Sequence, residues 1–472
     1  MGNKRTTIEL AESRATKNDN RRTGVKLAKF AKNAAIFGLL AAVASACSGA
    51  NTGGSTTAGT AVGTTDSGKV PEVKKKEPVD LVFFQTSSGW TEAMFMEQYG
   101  DAIKTKFPHM NIKFIPSAKT TDLIASGTTI DVLFSSVGHI HAHLIANNMQ
   151  YDMTELIKKN NYDLNQLEPS TVELMKKIAN GGMYGLPVTN TVSVLSYNKD
   201  LFDKFGVSYP KDGMTWDDTY ELAKRMTRTE GGVNYRGLVA SVEHIAQTNQ
   251  FSAGYVDPKT DKSLFATNEN WKKIADNLSR FYKIPGNEVD SKTGVLLAQV
   301  DAFRKDLTVA MMAHLAIPDK KDAIKNWDMV KLPEFKELPG VGSQPYPTYF
   351  DITSMSKHKD EAFEAIAFLT SEEFQLKLAK RGDVPVHKSQ AVRNAFGQEV
   401  EHLKGKNIKA RLPEKLAEPM AMTTYDAQAK TKWVTHMNQL ITGTGNDDIN
   451  TLLRKAAEEA DKDIETIKAS KK

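Results

Sequence analysis

Residues 184–216 read YGLPVTNTVSVLSYNKDLFDKFGVSYPKDGMTW. Gly185 and Pro187 break whatever regular structure precedes them. Val188 to Tyr197 predicts one strand, with Val188, Val192, Val194, Leu195 and Tyr197 and the β-branched Thr189 and Thr191. Asn198 opens a short helix, Lys199 to Phe205, and Gly206 ends it. Pro210, Gly213 and Thr215 make a loop, and Asp217 opens the next helix. The strand is polar in its first half and apolar in its second, so it passes from a wet place into a core.

The ordered landmarks of this stretch are Pro187, Tyr197-Asn198-Lys199-Asp200-Leu201-Phe202, Gly206, Pro210 and Thr215-Trp216-Asp217. They closely resemble the central segment of extracellular solute-binding proteins of ABC importers, in the carbohydrate-binding, maltose-binding-protein-like family. That resemblance implies a two-lobed α/β fold of the periplasmic-binding-protein kind. The stretch would be the first crossover strand between lobes, running along the ligand cleft. Trp216 reads as structural packing within the Thr-Trp-Asp motif.

Upstream, Asp80 to Phe84 (DLVFF), Asn111 to Ile115 (NIKFI) and Asp131 to Phe134 (DVLF) read as strands, and Trp90 to Lys106 reads as a helix. Such alternation implies a parallel sheet covered on both faces. The phrase SGTTIDVLFSS resembles a family strand, with Ile130 in place of the usual proline. Downstream, 217–230 and 267–283 read as helices, and GLVA (237–240) and LTVAMM (307–312) as strands. WDMVKLP (327–333) is similar to another family strand. TYFDITSM (348–355) reads as the returning crossover and 360–381 as one amphipathic helix, followed by a helical tail over 423–467. The resemblance divides the chain into a signal segment (1–46), a lipidated cysteine with its tether (47–78), a first lobe (79–187 and 351–386) and a second lobe (188–350 and 387–472).

The net charge of +5 misleads, because the first 46 residues hold nine basic against three acidic side chains and the rest is close to neutral. No basic patch argues for nucleic acid. The basic start is followed by the apolar run AAIFGLLAAVASA (34–46), too short for a permanent membrane span. It ends at Cys47, the only cysteine, which therefore has no disulfide partner within the chain. The site resembles a bacterial lipobox, with Ala44 where leucine is usual. The resemblance implies a diacylated Cys47 at the outer face of the cell membrane. Arg21-Arg22 suggests twin-arginine export, but Gly24 stands where a bulky apolar residue is usual, so ordinary secretion is expected. Residues 48–69 are Gly, Ser, Thr and Ala with almost no bulky apolar residue, the composition of a flexible tether.

No nucleophile elbow, P-loop, zinc-protease helix motif or dinucleotide fingerprint is present in the sequence. His139, His141 and His143 (HIHAH) have the residue type of a zinc site but no nearby acidic ligand. They are read as helix-start histidines, with His139 reaching the cleft; no metal and no cofactor is expected. Ligands of open α/β sheets lie beyond the carboxyl ends of strands. That rule selects Gln85, Ser87, Ser88 and Trp90 after the first strand and Ser135, Ser136 and His139 after the third. The crossover contributes Thr189, Asn190 and Thr191; the second lobe Glu243, His244, Gln247, Asn249 and His314; the return Tyr349 and Asp351; the tail Tyr425. By motif order these positions correspond to ligand contacts in the family. Each has a structural alternative: Trp90 as a core anchor, the serines as helix caps, Trp433 as core or cleft. Neutral polar groups dominate the set and no Arg or Lys falls in these loops, so a neutral saccharide is expected. The implied role is capture of a carbohydrate by a monomer that hands it to ABC permease subunits, without catalysis. The alternatives are a secreted carbohydrate-active or metal-dependent enzyme and a binder of non-sugar solutes.

Overall fold

Strand β1 (Val79–Gln85) buries Val79, Leu81 and Phe83 while Asp80 faces water, the alternation of a strand that packs on one side. β2 (Met110–Ile115) alternates likewise, and β3 (Val132–Ser136) is buried up to its last residue. Together with β4 (Gly185–Asn190), β10 (Thr348–Ile352) and β11 (Val384–Pro385) they form a six-stranded sheet ordered β11-β4-β10-β3-β1-β2. The second sheet is five-stranded, ordered β6-β7-β8-β5-β9, from β5 (Val194–Asn198), β6 (Arg228–Glu230), β7 (Val233–Ala240), β8 (Val309–His314) and β9 (Trp327–Lys331). This computed structural model describes residues 76–86, 90–116 and 118–470. The signal segment, Cys47, its tether up to residue 75, and Ser87 and Ser88 lie outside them.

The expected parallel sheet is a mixed one. β1, β2 and β3 pair in parallel, but β10 is antiparallel to both β3 and β4, and β11 to β4. The reason is topological: the chain comes back from the second lobe and enters the sheet from the opposite end. β5 likewise runs against β8 and β9, because it arrives from the first lobe.

The single strand expected over 188–197 is two strands, β4 and β5, one in each sheet. Thr191 to Ser193 carry the chain between them. The short helix follows as expected, Lys199–Phe205, with Asn198 accepting from the Leu201 N–H and Gly206 closing it at φ 63°. Thr215 and Asp218 form a capping box on the next helix, Trp216–Met226. That helix stops short of 230, because 228–230 pair as β6 with β7 across Gly231-Gly232. The helix expected over 360–381 is two, Lys359–Leu369 and Glu372–Lys380, since Ser371 caps the second through the Phe374 N–H.

Two large apolar cores and two smaller clusters result among the described residues. One lies around β1, β3, β10 and the Lys359–Leu369 helix. The other lies around β5, β7 and β8 and the Glu269–Phe281, Asp426–Ile441 and Ile449–Ser470 helices. The boundaries expected at 187/188 and 350/351 cut through β4 and β10. Val392 and Ala395 still pack on Ala379 of the first lobe, past the expected boundary at 386. Among the described residues no helix is long and apolar enough to cross a membrane.

Candidate functional site

Two connecting segments run side by side between the sheets. The Tyr346 N–H donates to the Thr191 carbonyl (3.0 Å) and to Asn190 Oδ1 (2.9 Å). The Ser193 N–H donates to Ser343 Oγ (3.1 Å), and Ser193 and Thr248 share a hydroxyl hydrogen bond (3.2 Å). Gln344 ties in a third segment by accepting from the Met420 N–H (2.7 Å). Backbone satisfied in this way forms a hinge rather than a loose linker.

A cavity of about 390 Å³ opens beside this hinge. Ser136 at the end of β3 forms one wall. Thr191, Tyr346 and Thr348 form the floor, and Leu315 to Ile317, just past β8, form the opposite wall with Arg411. Tyr346 bridges the walls: its hydroxyl accepts from Ser136 Oγ at 3.3 Å. It gets that close because residue 138 is glycine; a Cβ there would lie 2.7 Å from the Tyr346 hydroxyl.

Next to Tyr346 is a titratable cluster. The His244 ring lies 6.2 Å from Tyr346 and 5.0 Å from His314. Glu243 pairs with Lys430 at 3.0 Å. Burial pushes the Glu243 carboxyl up, but Lys430, His244 and His139 outweigh it and hold it below the usual range. The charges of Lys430 and Glu243 in the second lobe reach His139 of the first. Burial lowers His139 and His244, and burial with His244 and Arg304 takes His314 down to about 3. His314 is therefore neutral at pH 7. Burial raises Asp426, at the start of the Lys430 helix, to about 7.

The structure brings Ser136 and Thr191 to the cavity, and His139, Glu243, His244 and His314 to the cluster beside it. Thr189 is half-buried on β4, and Asn190 is buried against the hinge. Gln85 and Gln247 are buried too. Tyr425 starts the Asp426–Ile441 helix, with Lys468 over its ring at 5.7 Å. Trp90 stands 6.1 Å from Tyr99 and edge-on to Phe134 at 5.4 Å, as an anchor of the first core.

Several expectations are corrected. Tyr349 is fully buried, its hydroxyl donating to the Thr171 carbonyl, so its ring has no free face. Asp351 and Ser135 are fully buried with no partner for their side-chain oxygens. Asn249 spends its amide on the Ala246 and Ala253 carbonyls. Of the two readings of Trp433, core or cleft, the structure takes the first: it lies in the second core, 4.6 Å from Trp271. Tyr349, Asp351, Ser135 and Asn249 lie near strand or helix ends, but their side chains point inward, which the rule of strand ends does not distinguish. Tyr346, Leu315 to Ile317, Lys430 and Arg411 were not selected. Tyr346 carried one signal, its place between Pro345 and Pro347 in the returning segment. Lys430 lies just past the selected Tyr425, on the helix that Tyr425 starts, and Arg411 lies ahead of the tail in a segment from which nothing was selected. The expectation of a cleft without Arg or Lys fails for that reason.

His139 and His143 lie 5.6 Å apart, ring to ring. Burial takes His141 down to about 4 and lowers His143. Among the described residues no group of three or more His, Cys, Asp or Glu is placed to hold a metal.

Residues 90–376 match the bacterial extracellular solute-binding protein family. The chain is 26% identical over 327 residues to the arabinooligosaccharide-binding protein of Bacillus subtilis, covering 64% of this chain and 72% of that one. Over 118 residues, a quarter of each protein, it is 30% identical to an sn-glycerol-3-phosphate-binding periplasmic protein of Brucella abortus. Its fold is similar to that of an ABC substrate-binding protein from Listeria monocytogenes in complex with cycloalternan. The TM-score is 0.65 at 17% identity, covering 82% of this chain and 99% of that one. With a two-lobed fold, hydrogen-bonded crossovers and a family match across both lobes, the chain is a member of the bacterial extracellular solute-binding proteins.

Proposed function

We propose that this protein captures a carbohydrate or related polyhydroxylated solute between its lobes and delivers it to the permease of an ABC importer. The observation that carries this reading is the cavity at the hinge, where Ser136, Thr191, Tyr346 and Thr348 present hydroxyls beside the apolar Leu315 and Ile317. Sugars need both: polar groups for their hydroxyls and apolar surface for their C–H faces. Rotation about the crossovers encloses the solute, and only the closed state makes contacts from both lobes at once. The proteins it resembles are named for an oligosaccharide and a polyol phosphate, which supports the same class.

Calorimetry against a panel of sugars, polyols and their oligomers tests this. One solute should bind at a single site and shift the scattering profile toward a smaller radius. Conversion of a bound solute into product would favour a secreted enzyme instead. We further propose that Cys47 is lipidated and tethers the monomeric body to the membrane; two acyl chains suffice for stable attachment. Cys47→Ser expressed in a bacterial host fed labelled palmitate should carry no label. A labelled variant refutes the anchor.

A further inference from the structure

Arg411 lines the hinge cavity. It ends the short turn Ile408–Arg411, packed beside the second sheet through Ala410. Its Nε–H is buried and has no acceptor, and among the described residues no carboxylate lies within ion-pair distance of it. The carboxylate whose field reaches it is Asp383, which is already paired with Arg381 at 2.6 Å. Burial lowers the guanidinium to about 10, which still leaves it a cation at neutral pH. Arg304 also has a buried Nε–H without an acceptor, but its charge is met by Asp322 at 3.7 Å, and it donates to the Ile317 carbonyl at 2.9 Å. That bond also holds the cavity's Leu315 to Ile317 wall in place.

A half-buried guanidinium without a counter-ion is costly unless something answers it. Its planar fork matches the two oxygens of a carboxylate or phosphate. The hydroxyls of Ser136, Thr191 and Thr348 in the same cavity suit the rest of a sugar. We propose that the ligand is an anionic sugar, a sugar acid or a sugar phosphate, whose oxyanion docks on Arg411. This rests on the carbohydrate reading above and narrows it. It also departs from the neutral ligand that the loop sequences suggest.

The test is calorimetry on the folded body with matched sets of probes: glucose, glucuronate and glucose 6-phosphate, and the corresponding galactose, xylose and arabinose sets. Each titration is run at low and at high sodium chloride. At least one anionic probe should bind ten- to a hundredfold more tightly than its neutral parent, and weaken with salt. The acid and phosphate arms tell which oxyanion the site takes. Arg411→Gln should erase the preference for the anion, bringing its affinity down to that of the neutral parent in the same variant. Arg411→Lys keeps the charge without the fork and should retain part of the preference; it supplies the readout if the Gln variant does not fold. If neutral sugars bind as well as their anions, or the preference survives in Arg411→Gln, the inference is overturned and the carbohydrate reading stands. If no probe binds, both fall.

Discussion

Replacing Asp351 with Asn should stabilise the protein at neutral pH and leave ligand binding as it was. Asp351 sits on β10, fully buried, with neither carboxyl oxygen paired. Across the sheet is Gly185, where a Cβ would lie 2.3 Å from Asp351 Oδ1. Burial therefore raises the carboxyl well above its usual range. The sign follows from linkage. Below about pH 4 the folded and unfolded chains both hold the proton, and the stability from this group is complete. Above that, the unfolded chain gives up the proton while the folded one keeps it. Stability is then lost as pH rises, by about 1.4 kcal/mol per unit for as long as the folded carboxyl stays protonated. Asn keeps the shape and has no proton to lose. Urea unfolding of both proteins at pH 5, 6 and 7 measures the effect. The advantage of Asp351→Asn should widen by about 1.4 kcal/mol per unit, with ligand affinity within twofold of wild type. A difference that stays constant with pH would mean that the carboxylate is ionised and paired in the folded protein. A lost affinity would return Asp351 to the ligand site.

His314→Asn should flatten the acid side of the stability profile. With His314 held at about 3 in the folded state, stability complete above about pH 6.5 is lost by about 1.4 kcal/mol per unit as pH falls. Asn keeps an acceptor for the Ala316 N–H, and an unchanged acid limb in urea melts would contradict the reading. Gly138→Ala should push the Tyr346 hydroxyl away from Ser136. Ligand affinity should fall about tenfold, while the melting temperature moves by less than about 4 °C; unaltered calorimetric affinity would remove Tyr346 from the site. Tyr349→Phe should cost about 1 kcal/mol, from the lost bond to the Thr171 carbonyl, with binding intact; weaker binding in that variant would reverse the correction made above.

The local elements were legible because their causes are local. Asn198, Gly206, Thr215 and Asp218 act within one turn, so the two helices they bound could be read from adjacent residues. Partition of the crossover between two sheets left only a trace, the change from polar to apolar along 188–197. What breaks the strand at 191–193 is its bonding to Ser343 and Tyr346, some 150 residues away. Antiparallel insertion of β10 was equally hidden, because direction in a sheet depends on where the chain returns from.

The sequence by itself determined the family resemblance, the order of elements and the polar character of the strand ends, since these depend on neighbours along the chain. Tertiary structure decided which of those polar residues meet a cavity. Ser135 and Ser136 are adjacent and of one type, yet one is sealed in the core and the other faces Tyr346, because successive side chains of a strand point to opposite faces. Charge in the cleft was likewise a matter of folding. Lys430 and Arg411 lie some 60 to 80 residues beyond the returning strand, and only the packing of the C-terminal segments on the second lobe brings one to Glu243 and the other to the hinge cavity.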